Sequence, residues 1–351
     1  MRILYVADAL SVHTRRWAEA FRDRGAEIHV ASFRAAQIPS VTVHQLPTGG
    51  LGKGGYLLAI PALRRLAARL QPDLAHAQYI TSYGFVAAMA RLKPLVVTAW
   101  GTDVLISPKE SRLSRWLATR AVTAADQVTT VAEHMNAAVV ALGVPASKVV
   151  AMPFGVDTVL FHPPAEPPPA PPPLRVISTR NFAPVYSVHT VIEAVRQATA
   201  RGLAVALDLV GDGPLRGELE AAVRGANLEG LTTFHGHVAA PVLAALLGRA
   251  HVFVSSSVSD GNNVSLNEAM ACGCFPLATD IPANRQWLVD GETGGLFPSG
   301  DAERLSAWLE RAAADAPLRD HAAKVNREEV ERHADWRIAV QRMTELYERL
   351  A

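Results

Sequence analysis

The sequence predicts an α/β protein made of two Rossmann-like, doubly wound domains facing an interdomain cleft, and three observations carry that prediction. Short β-branched runs alternate with Ala/Leu/Arg-rich stretches of helical length, a proline cluster interrupts the rhythm near mid-chain, and the two sides of the cluster carry opposite charge. At 351 residues, 49% hydrophobic and 19% charged, the chain can fill two cores and is too apolar to stay disordered.

Before the cluster, strands are expected at 3–7, 28–32, 74–77, 95–98, 127–130 and 149–151. Helices are expected between them at 13–24, 59–70, 82–92, 113–124 and 133–142. Eight of the chain's 23 prolines then fall within 162–174, a run that can neither pair as a strand nor continue as a helix. After it, strands are expected at 175–178, 204–210, 232–235, 252–255 and 275–278, with helices at 188–201, 215–224, 241–249, 264–272 and 302–315. Strand, helix, strand throughout means parallel sheets, because a parallel connection needs a crossover that is usually helical. The expected domains are 1–161 and 174–332, with 162–173 as linker. A closing helix within 333–351, carrying Trp336, Ile338, Met343, Leu346 and Tyr347 at helical spacing, is expected to pack back toward the first domain.

No apolar run reaches the roughly 20 residues of a membrane span. The first ten residues lack the charged and apolar regions of a secretory leader, so a soluble, cytoplasmic chain is expected. Cys272 and Cys274, two apart and without a second pair, read as small buried residues rather than a zinc site or disulfide. Residues 1–160 hold 17 Lys/Arg against 10 Asp/Glu, a net of +7, and the remainder 17 against 23, a net of −6. A basic first half suits an anionic partner. The basic amphipathic stretches 53–70 and 109–120 fit either peripheral contact with an anionic membrane or ordinary solvated helices. No aromatics interleave with these charges in the way nucleic-acid stacking requires, so nucleic acid is not an expected partner.

The stretch from Ser255 to Cys274 is the most informative. A strand ends, a Gly/Asn loop follows, and a helix opens near Val264, leaving backbone N–H groups and a helix dipole suited to phosphate. Asp260 and Glu268 are separated by seven residues, with Glu-Ala-Met-Ala-Cys-Gly following. Taken alone they are equally a loop cap and a solvated helix residue. Together the pattern resembles the signature of retaining glycosyltransferase family 4, with Asp260 where the family usually has Glu. Further resemblances lie at Pro153-Phe-Gly-Val-Asp157, Ser178-Thr-Arg180, Gly211-Asp-Gly213, Phe234-His-Gly236 and Asp290-Gly-Glu-Thr-Gly294.

The resemblance implies a GT-B fold and transfer of a hexosyl group, with retained configuration, from a nucleotide-sugar to a saccharide or lipid-linked acceptor. UDP is expected before GDP, in cell-surface polysaccharide or glycolipid synthesis. No cofactor and no metal are implied. It places the acceptor side in the first domain and the donor in the second. Arg180 would hold the diphosphate, aided by Tyr186 in place of the family's Lys, by Gly211, and by the helix start at Asn263, Val264 and Ser265. Glu268 would accept from the ribose hydroxyls and Asp260 would contact the donor sugar. In the first domain Trp100 stands where the family often has His. Asp103 could orient an acceptor hydroxyl or simply serve its turn, and His13 follows the first strand in a loop that faces the donor in the family. His76 ends a later strand and is a weaker candidate.

Rival motifs fail. Gly211-Asp-Gly213 lacks the third glycine of a dinucleotide fingerprint, and His235-x-His237 lacks a carboxylate or thiolate at metal-ligand spacing. Two readings stay open beside the transferase: a catalytically silent homologue that binds nucleotide-sugar or a partner, and another GT-B enzyme such as a nucleotide-sugar epimerase.

Overall fold

In the computed structural model, which describes residues 1–351, each half of the strand rhythm closes into one parallel sheet. The chain divides into two units, Met1–Phe154 with Ala339–Ala351, and Gly155–Ile338. The predicted α/β class and the two Rossmann-like sheets are what the structure has.

The first sheet contains β1 (Arg2–Val6), β2 (Glu27–Ser32), β3 (Thr42–Gln45), β4 (Leu74–Gln78), β5 (Leu95–Ala99), β6 (Gln127–Thr130) and β7 (Val149–Ala151), in the order β3-β2-β1-β4-β5-β6-β7. Every neighbouring pair is parallel, with Tyr5 opposite Val30 on one side and His76 on the other. All residues of β4, β5 and β6 are buried, the pattern of strands covered on both faces. The helices are α1 (Val12–Arg22), α2 (Tyr56–Leu70), α3 (Phe85–Met89), α4 (Thr102–Leu105), α5 (Ser107–Glu110), α6 (Arg112–Ala124) and α7 (Asn136–Val140).

The second sheet contains β8 (Leu174–Ser178), β9 (Val205–Val210), β10 (Thr232–Gly236), β11 (Val252–Ser255), β12 (Phe275–Thr279) and β13 (Gly295–Phe297), in the order β10-β9-β8-β11-β12-β13, again all parallel. Its helices are α8 (Val188–Ala200), α9 (Arg216–Gly225), α10 (Ala240–Leu247), α11 (Val264–Ala271), α12 (Pro282–Arg285), α13 (Ala302–Ala314) and α14 (Ala316–His333). One face of the sheet buries Val191, Leu305 and Trp308 from α8 and α13, and the other buries Leu266, Met270 and Val330 from α11 and α14. Both cysteines are free and buried there, and burial with the nearby Glu268 charge pushes the Cys272 thiol up to about 12.

The last helix, α15 (Trp336–Leu350), buries Tyr347 in the first unit, where its hydroxyl lies 3.2 Å from that of Tyr5. The proline segment 162–173, expected as the linker, runs along the second unit, where His251 Nε2 donates to the Pro169 carbonyl (2.8 Å) and His251 Nδ1 accepts from the Arg175 N–H (2.9 Å). The division falls ahead of it because the backbone from Gly155 is already tied to the end of α14. Val156 N–H donates to Ala334 O, Trp336 N–H donates to Val156 O, and a Cβ on Gly155 would lie 2.4 Å from Trp336 Cα.

Both sheets reverse their strand order once, between β1 and β4 in the first and between β8 and β11 in the second. In open α/β sheets this switch point, beyond the carboxyl ends of the strands, is where ligands bind. The loops that leave β1, β8 and β11, with the first turns of the helices that follow β1 and β11, carry most of the residues singled out from the sequence.

Candidate active site

At the second switch point the chain leaves β8 at Ser178 and reaches Arg180, and it leaves β11 at Ser255 and loops into α11. Arg180 is 8% exposed. Its Nη1 donates to Asn263 Oδ1 (2.8 Å), its Nη2 is hydrogen-bonded and ion-paired with Asp260, and its guanidinium carbon sits 4.5 Å from the centre of the Tyr186 ring. Arg180 Nε is buried without a partner. Asn263 is the hub. As N-cap of α11 its Oδ1 also accepts from Leu266 N–H (3.2 Å), while its Nδ2 donates to Ser255 Oγ (3.0 Å) and Asn284 Oδ1 (2.9 Å).

Gly211 supports this arrangement from behind. It adopts φ +137°, and a Cβ there would lie 2.3 Å from the Arg180 carbonyl oxygen, so only glycine lets the β9 loop pass this close. The structure therefore gives Gly211 a place against the Arg180 backbone.

Tyr186, expected to donate a hydrogen bond in place of a lysine, instead lays its ring against Arg180. The helix start is less open than the sequence suggested, because Val264 N–H donates to Asn262 O (2.9 Å) and Leu266 N–H to Asn263. Ser265 Oγ donates to Thr179 O (3.2 Å), tying α11 to the segment that carries Arg180. Glu268 is partly buried one turn further along α11. Asp260 meets Arg180 directly. Sequence reasoning missed Ser178 Oγ, Thr179 Oγ1 and both amide atoms of Asn267, all buried without partners on these same two segments. Their signal was polar side chains at the end of an apolar strand and inside a buried helix.

The first switch point is furnished differently. His13, at the start of α1, stacks on Phe154 (centroids 4.1 Å apart, planes 5° apart) and meets Trp100 edge-on at 5.5 Å, and Tyr79 is edge-on to Trp100 at 6.4 Å. Burial, and secondarily the Arg16 charge, pulls the His13 imidazole down to about 4, so it is neutral near pH 7. Trp100 Nε1 is buried without a partner.

Two expectations are corrected here. Asp103 is fully buried, and its carboxylate accepts from the N–H groups of Ile80 (2.7 Å), Trp100 (3.0 Å) and Gly101 (2.9 Å). Fully buried and bonded to three backbone N–H groups, it holds the turn and presents no exposed oxygen to an acceptor hydroxyl. His76 lies within the sheet, with Nε2 2.5 Å from Thr98 Oγ1 and Nδ1 hydrogen-bonded to the Tyr347 hydroxyl, and is a core residue.

His235 pairs through Nε2 with Asp208 Oδ1 (2.6 Å), and no group of three or more His, Cys, Asp or Glu side chains is arranged to hold a metal ion. No helix is long and apolar enough to cross a membrane.

Residues 2–132 match the family model described as glycosyl transferase 4-like, and residues 174–315 match that described as glycosyl transferases group 1. A protein of Salmonella typhimurium named as a colanic acid biosynthesis glycosyltransferase, WcaL, is 31% identical over 176 residues, 48% of this chain and 43% of that protein. A phosphatidyl-myo-inositol mannosyltransferase of Mycobacterium leprae is 32% identical over 119 residues, 34% of this chain and 32% of that protein. The chain thus aligns with less than half the length of either relative. The structure of Anabaena HepE in complex with UDP-glucose superposes with a TM-score of 0.82 at 20% identity, covering 100% of both chains, a likeness of fold.

Proposed function

The chain belongs to the GT4-like glycosyltransferases of the GT-B fold, and on that premise we propose that it moves a hexosyl group, with retained configuration and without a metal, from a nucleotide-sugar to a saccharide or lipid-linked acceptor. The observation that carries this reading is the buried Arg180 at the second switch point, held by Asp260 and Asn263 beside polar atoms that have no protein partner. Buried polar groups left unpaired in a protein call for an ordered water or a ligand, and hydroxyl-rich and anionic ligands supply what these lack.

In the proposed reaction the bond from the sugar's anomeric carbon to the β-phosphate oxygen breaks and a bond to the acceptor oxygen forms on the same face. The acceptor's proton passes to the departing phosphate oxygen. Arg180 offers a positive charge fixed in advance, which stabilises the charge growing on that oxygen without reorganisation. Asp260 and Tyr186 orient the guanidinium, and Asp260 is close enough to exchange Arg180 for a sugar hydroxyl when donor enters. Glu268 accepts from the ribose. UDP is favoured over GDP, with the UDP-glucose complex of HepE as its support. The Mycobacterium leprae relative and the basic first half support a lipid-linked acceptor, with peripheral membrane contact at the cytoplasmic face.

A thermal-shift series with UDP, GDP, ADP and CMP, with and without EDTA, tests the donor site, since a ligand that binds only the folded state raises the midpoint. The expected result is a shift with the uridine series that EDTA leaves unchanged and Arg180→Ala removes. No shift with any nucleotide overturns the proposal.

A further inference from the structure

The rings at the first switch point do not end at Trp100. Tyr79, the first residue beyond β4, is held at φ +76° and ψ +104°, a conformation that strains a bulky residue. Its N–H donates to Thr98 O (3.0 Å), its carbonyl accepts from Gly84 N–H (3.0 Å), and its hydroxyl lies 2.9 Å from Thr102 Oγ1. So fixed, its ring stands edge-on to Trp100. Burial, and secondarily the neighbouring Tyr79, raises the Tyr56 hydroxyl above its ordinary range, which puts Tyr56 next in the row. Phe33 lies nearly parallel to Tyr56 (centroids 5.5 Å apart, planes 14° apart) and to Tyr83 (4.2 Å, 14°). Phe33, Tyr56, Tyr79 and Trp100 are all half-buried, so each keeps part of its surface in water.

An ion pair lies alongside. Phe33 is the first residue beyond β2, and the next, Arg34, pairs with the Asp8 carboxylate, its Nε 3.1 Å from Oδ1. The two side chains are 61% and 23% exposed. Ser32 Oγ accepts from the N–H groups of Ala9 and Arg34 (3.1 Å each), which ties the loop after β1 to the loop after β2. Burial chiefly raises the Tyr83 hydroxyl, and the Asp8 and Arg34 charges act on it as well, so the pair sits beside the stacked rings.

Stacked rings alone are core packing, but half-buried rings beside an open carboxylate and guanidinium make a surface of another kind. A pyranose has an apolar face of C–H groups and a rim of hydroxyls. The rings meet the first, while the carboxylate accepts from the second and the guanidinium donates to it. An alkyl chain would use the rings and leave the ion pair idle. Tyr79 and Tyr56 both intervene between Trp100 and Phe33, and a pyranose is about the size of one such ring. A sugar held at Trp100 therefore does not reach Phe33.

We propose that Phe33, Tyr56 and Tyr79, with Asp8 and Arg34, form a second saccharide subsite in the first unit, and that the acceptor is an oligosaccharide rather than a single sugar. This rests on the reading of a saccharide acceptor for the transferase and names its class.

The test is saturation-transfer-difference NMR of the full chain, with UDP present, against the methyl glycosides of glucose, galactose and mannose and against cellobiose, maltose, lactose and mannobiose. At least one disaccharide is expected to bind about tenfold tighter than the methyl glycosides, with saturation on both of its rings. Phe33→Ala should weaken that disaccharide about fivefold and remove the saturation from one ring only, which a general loss of structure would not do. Arg34→Gln, at an exposed position, should weaken it by about the same factor and decides the matter if Phe33→Ala does not fold. No preference for a disaccharide, a preference indifferent to the variants that fold, or octyl glucoside outcompeting every disaccharide, each overturns the proposal. The uridine thermal shift on the same preparations reads the donor site separately, so a shift without disaccharide preference removes the subsite and leaves the transferase standing.

Discussion

At the second unit's switch point a buried guanidinium meets a carboxylate, a capping amide and an aromatic ring, whereas at the first unit's switch point two aromatic rings, Phe154 and Trp100, pack against a neutral imidazole. The sheets beneath them share one strand order, the first adding only β7 at its edge, so the difference lies in the loops and not in the scaffold. A fixed cation suits a diphosphate, whose charge does not change sides as the donor binds. An uncharged aromatic wall suits the apolar faces of a sugar or an isoprenoid-like acceptor. The division proposed between donor and acceptor is thus a division between charged and uncharged recognition.

The sharpest way to break this contrast is to remove the charge. Arg180→Ala should lower turnover by about a hundredfold or more, roughly 2.7 kcal/mol of transition-state stabilisation, and Glu268→Ala should approach it. Arg180→Ala also leaves Asp260 and Asn263 with unmet partners, so nucleotide affinity and turnover should fall together. Steady-state kinetics with both substrates varied would show it. Wild-type rates in both variants would remove the donor site from the second switch point.

Next in size is Gly211→Ala, which adds one methyl group 2.3 Å from the Arg180 carbonyl at a backbone angle that disfavours any side chain. A loss of about 1 to 3 kcal/mol in stability is expected from the strain, with a diminished nucleotide shift because Arg180 moves. Denaturant unfolding and the thermal series together decide it. Stability lost with the nucleotide shift intact would show that the β9 loop holds the fold and not the guanidinium.

Much of this organisation can be read in the amino-acid order, and the parts that cannot have physical reasons. Strands such as β5, apolar on both faces, announce themselves as continuous runs, while β3 and β13 are short, and β3 is a half-exposed edge without an apolar run. The spacing of the glycosyltransferase signature points to Asp260 and Glu268, the resemblance at Ser178-Thr-Arg180 points to Arg180, and the strand, loop and helix order points to Asn263. Asp103 misleads because its three partners are backbone N–H groups, which every residue has and no sequence displays. Asn267 escapes notice for the opposite reason, since its importance lies in bonds it does not make.

On the uncharged side, Trp100→Ala should raise the acceptor KM about fivefold, in line with the ~1 kcal/mol of an aromatic contact beyond its area, and leave the uridine shift unchanged. This variant sharpens the comparison, because it should move only the quantity that Arg180→Ala leaves to the acceptor. Equal loss of nucleotide binding in the two variants would erase the distinction between the two switch points.

The smallest effect is a pH dependence of stability from His13. Its imidazole titrates near 4 in the folded protein and near 6.5 when unfolded, because burial disfavours the charged form. The unfolded chain therefore binds the extra proton first. Stability from this group is complete above about pH 6.5 and is lost as the pH falls toward 4, below which both states are protonated and the slope disappears. The full shift would amount to about 3 kcal/mol, but the ring is only partly shielded from solvent, and about 1 kcal/mol is the expected loss. His13→Phe keeps a ring stacked on Phe154 and has no proton to take. Its melting temperature should fall less than that of the wild type between pH 6.5 and 4, and parallel curves would mean that His13 is as exposed to water when folded as when unfolded.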